Sequence, residues 1–190
     1  MFLPSIIETD GRGLRSFDLP SKLFEQSIIT LFGDVTDDSA NAVIMQLIYL
    51  DSLDNEDEIN LYINSPGGSV YAGLAIHDVI RNMRKKVNTV CVGSAMSMGA
   101  FLLICGTGER KSLPNSRIMI HSVSGYSSGT FHDQLIDLKE TEYLQNRLLQ
   151  LMVEYSNGKI TKDAIDTLTQ RDKFLSPQEA YDLGFIDKII

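Results

Sequence analysis

The chain of 190 residues carries a formal net charge of −8. A nucleic-acid-binding surface is therefore not expected, because the phosphate backbone would be repelled. Hydrophobic residues make up 43% of the chain and charged residues 22%, which is typical of a soluble domain with one substantial core. The N-terminus lacks the basic start and long apolar core of a signal peptide, and no apolar run reaches membrane-spanning length. We therefore expect a cytoplasmic protein that makes no membrane contact.

Cysteine and histidine are too few to indicate a metal site or a disulfide framework. Cys91 and Cys105 both lie in apolar runs, so we expect them to be buried, reduced thiols. Together with His77, His121 and His132 they match no usual spacing of zinc ligands. We expect this chain to bind neither a metal nor a cofactor.

The N-terminal 25 residues differ from the rest of the chain. They contain two prolines and two glycines and show little hydrophobic periodicity. These features predict a loosely ordered arm over residues 1–25. The remaining residues, 26–190, are predicted to form a single domain.

Beyond the arm, the pattern alternates between strands and helices. Strands are predicted at residues 27–32, 59–63, 87–92 and 117–121, and helices at about 37–50, 70–84, 98–105 and 131–157. Asp37 or Asp38 is the expected N-cap of the first helix, and residues 176–179 form a capping box that starts a later one. Residues 122–130 are predicted to be an exposed strand or loop. The alternation implies an α/β fold in which helices pack on a parallel sheet.

One segment combines a strand, a cramped turn and a helix around Ser97. The turn contains small residues, and its pattern Ala95-x-Ser97-x-Gly99 is a degenerate relative of the Gly-x-Ser-x-Gly nucleophile elbow. A helix N-terminus offers unpaired N–H groups and a positive dipole end to a developing oxyanion. The competing interpretation is a serine that only caps the helix, which is far more common.

A serine nucleophile also needs a base and a group that orients the base. His77 and His132 fall inside predicted helices, where a core or solvated histidine is the simpler interpretation. His121 ends a predicted strand, at the edge where parallel strands deliver catalytic residues. Asp172 lies in a short link between two predicted helices and is the candidate orienting carboxylate, although its cationic neighbours also suit a surface ion pair.

Two backbone N–H groups are candidate oxyanion donors. One belongs to Met98, the residue after the nucleophile, and the other to Gly68. Successive glycines after a strand permit a close backbone approach that a side chain would block. Residues 66–68 are equally compatible with a simple turn.

Four blocks of the chain resemble the proteolytic subunits of the Clp protease family, ClpP, in order and spacing. They are Asn64-Ser65-Pro66-Gly67-Gly68-Ser69-Val70, the residues GSAMSMGAFLL at 93–103, the residues LPNSRIMIH at 113–121 and the residues RDKFLS at 171–176. The likeness runs from about residue 4 to the C-terminus. It implies a crotonase-like α/β fold of repeated βα units, with residues 1–25 as an axial arm and a protruding handle helix at about 131–157.

The resemblance also implies a function. It implies an ATP-dependent serine endopeptidase in which Ser97 is the nucleophile, His121 the base and Asp172 the orienting carboxylate, with Gly68 and Met98 as oxyanion donors. Residues 125–129, including Gly125, Tyr126 and Ser127, would lie on a strand that pairs with the substrate backbone. The subunits would form two stacked seven-membered rings, a tetradecamer fed with unfolded polypeptide by an AAA+ unfoldase, which uses the ATP.

The chain departs from the family pattern at several positions. Asn60, Asn82 and Lys111 stand where an ATPase-docking cleft is lined by aromatic side chains, although Tyr62 remains. Further departures are Gln170 in place of an acid that pairs across the rings, Val123 in place of a proline and Met96 in place of a small residue. These changes suggest a divergent second paralogue that works in mixed rings, whose partner ring contacts the ATPase.

The remaining alternatives are a non-catalytic ring subunit and a crotonase-type acyl-CoA enzyme.

Overall fold

The computed structural model describes residues 4–11, 13–125 and 127–190. An antiparallel hairpin comes first, formed by β1 (Ser5–Asp10) and β2 (Gly13–Asp18). The other strands are β3 (Ile28–Phe32), β4 (Ile59–Ser65), β5 (Val87–Met96), β6 (Arg110–Ser112), β7 (Arg117–Ile120), β8 (Lys173–Leu175) and β9 (Lys188–Ile189). The helices are α1 (Leu19–Glu25), α2 (Asp37–Ser52), α3 (Val70–Asn82), α4 (Met98–Ile104), α5 (Phe131–Tyr155), α6 (Lys162–Thr169) and α7 (Pro177–Asp182).

The main sheet has seven strands, in the order β3-β4-β5-β6-β9 with a branch at β5. The pairs along this path are parallel. The C-terminal part of β5 pairs with β7, and β7 pairs with β8 in the antiparallel direction. The expected α/β fold with a parallel sheet is confirmed. The branch matters for function because it brings the end of β7 beside the end of β5.

The core lies between the sheet and its helices. Strand β4 alternates fully buried and half-buried side chains, whereas residues 87–91 at the start of β5 are all buried, as expected for a central strand covered on both faces. Every residue of the short helix α4 is buried. A helix without a solvated face cannot shift without disturbing its neighbours, so its first turn is held rigidly.

Several boundaries differ from those predicted. The described residues 5–10 and 13–25 form the hairpin strands and α1 instead of a loosely ordered arm. The sequence did not show this, because the strands of an exposed hairpin have no alternating hydrophobic pattern. Helix α2 begins after Thr36, whose side chain accepts from the Ser39 N–H, so neither Asp37 nor Asp38 is the N-cap. The long helix ends at Tyr155. The capping box at residues 176–179 is confirmed.

Candidate active site

Ser97 occupies a strained turn between β5 and α4. Its backbone has φ 51° and ψ −121°, a conformation that costs a non-glycine residue free energy unless the surroundings enforce it. The Ser97 N–H donates to the Met119 carbonyl over 2.8 Å, and its carbonyl accepts from the Phe101 N–H over 3.0 Å. These bonds tie the turn to β7 on one side and to α4 on the other.

Gly67 lets a neighbouring loop close over this turn. A methyl group built on Gly67 would lie 2.6 Å from Ser97 Cβ and 2.7 Å from the Met96 carbonyl oxygen. Such distances are too short for any side chain, so the close approach requires glycine. The predicted role of successive glycines therefore has a structural basis, and the crowded position next to Ser97 is Gly67.

The side chain of Ser97 does not cap its helix. Of the seven helices in the described ranges, six begin with a side chain that accepts from an N–H in the first turn, and α4 is the exception. Ser97 Oγ instead lies 2.9 Å from Nε2 of His121. This difference separates Ser97 from an ordinary N-cap serine.

The strand register brings the three predicted residues together. Met96 of β5 pairs with Met119 of β7, so His121, which follows β7, lies beside Ser97. Ile120 pairs with Lys173 of β8, so Asp172, just before β8, lies beside the imidazole. Nδ1 of His121 is 3.2 Å from Oδ1 of Asp172. Asp172 therefore lies between α6 and the short strand β8, and not between two helices as predicted.

The two residues proposed as donors line the same cavity. Val35 and Gly68 form a parallel bridge that uses the Gly67 carbonyl and the Ser69 N–H, which leaves the Gly68 N–H outside the bridge. The Met98 N–H belongs to the first turn of α4, where intrahelical partners do not exist. Gly68 and Met98 both line a cavity that also contains Ser97 and His121.

This cavity is small and has both polar and apolar walls. Its volume is about 60 Å³, and its apolar lining includes Val70, Phe101, Ile120, Leu148, Leu149 and Met152. The last three belong to α5, so the long helix forms one wall of the cavity beside Ser97. A larger groove of about 600 Å³ runs alongside, between residues 123–125 and 127 on one side and the first turns of α5 on the other.

The predicted substrate-binding residues flank this groove. Gly125 and Ser127 line it, and Ser127 Oγ donates to Oδ2 of Asp137 over 2.8 Å. Tyr126 lies outside the described residues. The described residues of 122–130 form no strand in this single chain, so they follow the loop interpretation and not the strand that the resemblance implied.

The other candidate nucleophiles and bases lie elsewhere. Cys91 and Cys105 are buried and unbridged, as predicted. Burial raises the pKa of the Cys105 thiol to about 12, so it carries no reactive thiolate at neutral pH. His132 is exposed on α5, whereas His77 is buried in the core. Within the described ranges, no group of three His, Cys, Asp or Glu side chains could hold a metal ion.

One residue of the site was not predicted from sequence. Gln145 of α5 lines the small cavity, and its Oε1 accepts from the Val123 N–H over 2.8 Å. No local pattern marks it, because a glutamine on a long helix normally faces solvent. Its partner lies two residues after His121, which only the tertiary structure shows.

A branched parallel sheet with a serine turn, an imidazole and a carboxylate in line is the arrangement of an α/β serine hydrolase. The family model described as Clp protease matches residues 11–190, and the chain belongs to the Clp protease family. It is therefore a serine protease proteolytic subunit, and proteins of this family generally form ring oligomers with AAA+ partners. In the described part of the chain, no helix has the length and apolar character needed to cross a membrane.

Proposed function

We propose that this chain is an endopeptidase subunit in which Ser97, His121 and Asp172 form the catalytic triad. The observation that carries the proposal is the hydrogen bond between Ser97 Oγ and His121 Nε2, at a strained turn whose serine leaves its own helix uncapped. A serine with a merely structural role would gain more by capping. The strained backbone of Ser97 and the uncapped start of α4 are both unfavourable for stability, and a role as nucleophile accounts for them.

The mechanism follows from the positions of these groups. Ser97 Oγ attacks the peptide carbonyl carbon while His121 Nε2 takes its proton, and Asp172 holds the other ring nitrogen. The Gly68 and Met98 N–H groups donate to the oxyanion, each contributing about 3 kcal/mol to transition-state stabilisation. His121 then protonates the departing amine as the C–N bond breaks. Water, deprotonated by His121, attacks the acyl carbon. The ester bond to Ser97 Oγ then breaks, His121 returns the proton to Oγ, and the carboxylic acid is released.

The cavity and groove support an unfolded polypeptide as the substrate. The apolar wall of the cavity beside Ser97, which α5 provides, suits an apolar side chain next to the scissile bond. The groove along residues 123–125 and 127 is open and suits an extended backbone. Backbone recognition gives affinity with little sequence specificity, which fits degradation of many substrates.

The first experiment tests the nucleophile. A fluorophosphonate probe should label the parent at Ser97, and Ser97→Ala should lose both labelling and peptide hydrolysis. Ser176→Ala is the matched control, because Ser176 caps α7 and its loss should cost about 1 kcal/mol of stability without changing labelling. A Ser97→Ala chain that cleaves as fast as the parent would exclude this triad. Failure of the folded parent to react would favour an acyl-CoA enzyme or a non-catalytic ring subunit.

The proposed assembly is a mixed double ring with a paralogous subunit, fed by an AAA+ unfoldase. Support comes from the positions where the resemblance implies aromatic side chains. Asn60 accepts from Asn88 Nδ2, Asn82 donates to the Asp78 carbonyl, and Lys111 pairs with Glu109 over 2.8 Å. Each of these three side chains binds a neighbouring polar group and offers little apolar surface to a docking loop, so the partner ring is proposed to supply the ATPase contact.

The second experiment tests the mixed assembly. Native mass should be measured for the chain alone and with a candidate paralogous subunit, and each sample should be assayed for protein degradation with a cognate unfoldase. The proposal expects degradation only from the mixed particle. Robust degradation by this chain and the unfoldase alone would exclude it, while leaving the triad untouched.

A further inference from the structure

The chain after His121 leaves the sheet and is held by few hydrogen bonds. The Ser122 N–H and hydroxyl both donate to the Thr169 carbonyl, over 2.6 and 2.8 Å. The next bond is from the Val123 N–H to Gln145 Oε1, over 2.8 Å. The bond after that, within the described residues, is made by Ser127. Gln145 therefore holds the middle of this segment onto α5.

We propose that Gln145 is a positioning residue for the peptidase reaction. It holds the Val123 segment, and through it the His121 imidazole, in register with Ser97. This role rests on the proposed function, since it requires His121 to be the base. Gln145 itself need not touch the reacting atoms.

The held segment shapes both substrate-binding spaces. Val123 and Ser124 line the small cavity beside Ser97 and also the larger groove, so they form the wall between the two. A displacement of this wall would move the base and the bound peptide together. Misplacement of reacting groups by about 1 Å can reduce the rate by about a hundredfold.

Gln145 is suited to this position because it is an acceptor without charge. The Val123 N–H needs an acceptor, because an unpaired N–H in a partly buried position is unfavourable. A proline at residue 123 would have no N–H to donate. The adjoining cavity is large enough for a water molecule to solvate a freed N–H. Loss of the Gln145 side chain should therefore displace the Val123 segment more than it lowers the stability of the fold.

The test measures Ser97 labelling and peptide hydrolysis in the assembled protein. Gln145→Met keeps the side-chain length and removes the acceptor, and kcat/KM and the labelling rate should both fall about tenfold. Gln145→Glu keeps an acceptor oxygen and should restore labelling to about one third of the parent rate or better. Gln150→Met, the same change at an exposed position of α5, should leave both rates and the melting temperature unchanged.

A double-mutant cycle shows whether the hydrogen bond is responsible. Val123→Pro removes the donor, so in that background Gln145→Met should have no further effect on the labelling rate. Additive losses would overturn the role of Gln145, and so would a Gln145→Glu variant that reacts as slowly as Gln145→Met. If the parent labels at Ser97 and the Gln145→Met variant labels equally fast, the role of Gln145 is overturned and the proposed triad is not. A folded parent that does not label at Ser97 would overturn the proposed function as well.

Discussion

Two histidines of this chain have the same kinds of partner but different surroundings. His121 lies between the Ser97 hydroxyl and the Asp172 carboxylate. His77 lies between the Tyr155 hydroxyl, 2.7 Å from Nε2, and the Asp78 carboxylate, 2.8 Å from Nδ1. Hydroxyl, imidazole and carboxylate in line therefore occur twice in one molecule.

Access to substrate distinguishes the two sets. The side chain of His77 is 5% exposed and packs on the Phe101 ring, whereas that of His121 is 25% exposed and lines a cavity. Burial lowers the pKa of His77, so the ring is neutral and its Nε2 accepts from the Tyr155 hydroxyl. A hydroxyl–imidazole–carboxylate set is therefore a candidate catalytic site only where an open cavity and N–H donors lie beside the hydroxyl.

The largest expected difference between the sets is in the imidazoles themselves. His121→Ala should lower the labelling rate of Ser97 by at least about a thousandfold, because His121 Nε2 is the group positioned to take the hydroxyl proton. His77→Gln, which keeps two hydrogen-bonding groups at the buried position, should label within about twofold of the parent. Both variants should be compared at matched native mass. Equal losses from the two variants would remove the distinction between the sets.

The second-largest difference between the two sets is expected when their carboxylates are replaced. Asp172→Asn should lower the peptidase kcat by about a hundredfold, because the amide no longer holds Nδ1–H of His121 in the productive orientation. The effect is expected to be smaller than for a fully buried carboxylate, since the Asp172 side chain is 61% exposed. Asp78→Asn, at the other histidine, is the control and should leave kcat unchanged. Steady-state kinetics on a short peptide would measure both, and unchanged activity in Asp172→Asn would exclude Asp172 as the orienting group.

Crowding at the serine turn gives a smaller, more specific effect. Gly67 and Gly33 have similar positive φ values, +97° and +94°, but a methyl group on Gly33 would meet nothing within 4 Å. Gly67→Ala should displace the Ser97 turn and slow labelling about tenfold or more. Gly33→Ala should carry only the backbone strain, about 1 kcal/mol of stability. Similar labelling by both variants would show that the turn does not depend on this contact.

The smallest effect concerns stability and pH. Burial, opposed by Asp78 and supported by Arg81 and Arg147, lowers the pKa of His77 from its ordinary value of 6.5. The unfolded chain binds this proton more readily, so the stability due to neutral His77 is complete above about pH 6.5 and is lost as pH falls towards the folded-state pKa. Denaturant midpoints measured from pH 7.5 to 5 should fall less in His77→Gln than in the parent. An identical pH dependence in both proteins would contradict this account.

The elements nearest the site were largely predictable from the sequence. The apolar run at residues 87–92 predicted the first part of β5. The small residues 93–95 were predicted to form the turn, but they extend this strand to Met96, and the turn itself lies at Ser97. The capping box at residues 176–179 was predicted correctly because its interactions are local. Thr36 was missed as a cap because two aspartates beside it carry the same local signal. Strands β6, β8 and β9 have two or three residues each, too few to show a period.

What the sequence by itself determined is the set of chemical groups: a serine in a small-residue turn, a histidine at a strand end and glycines where backbones meet. The resemblance of the sequence to the Clp family also predicted that Ser97, His121 and Asp172 act together. Only the tertiary structure shows that these three groups meet at an open cavity, because β7 and β8 pair with strands far away in the chain. It also decided that Gln145 holds the segment after His121. Contacts between elements that are distant in the chain arise from packing, so the local sequence around each residue does not show which residues will meet.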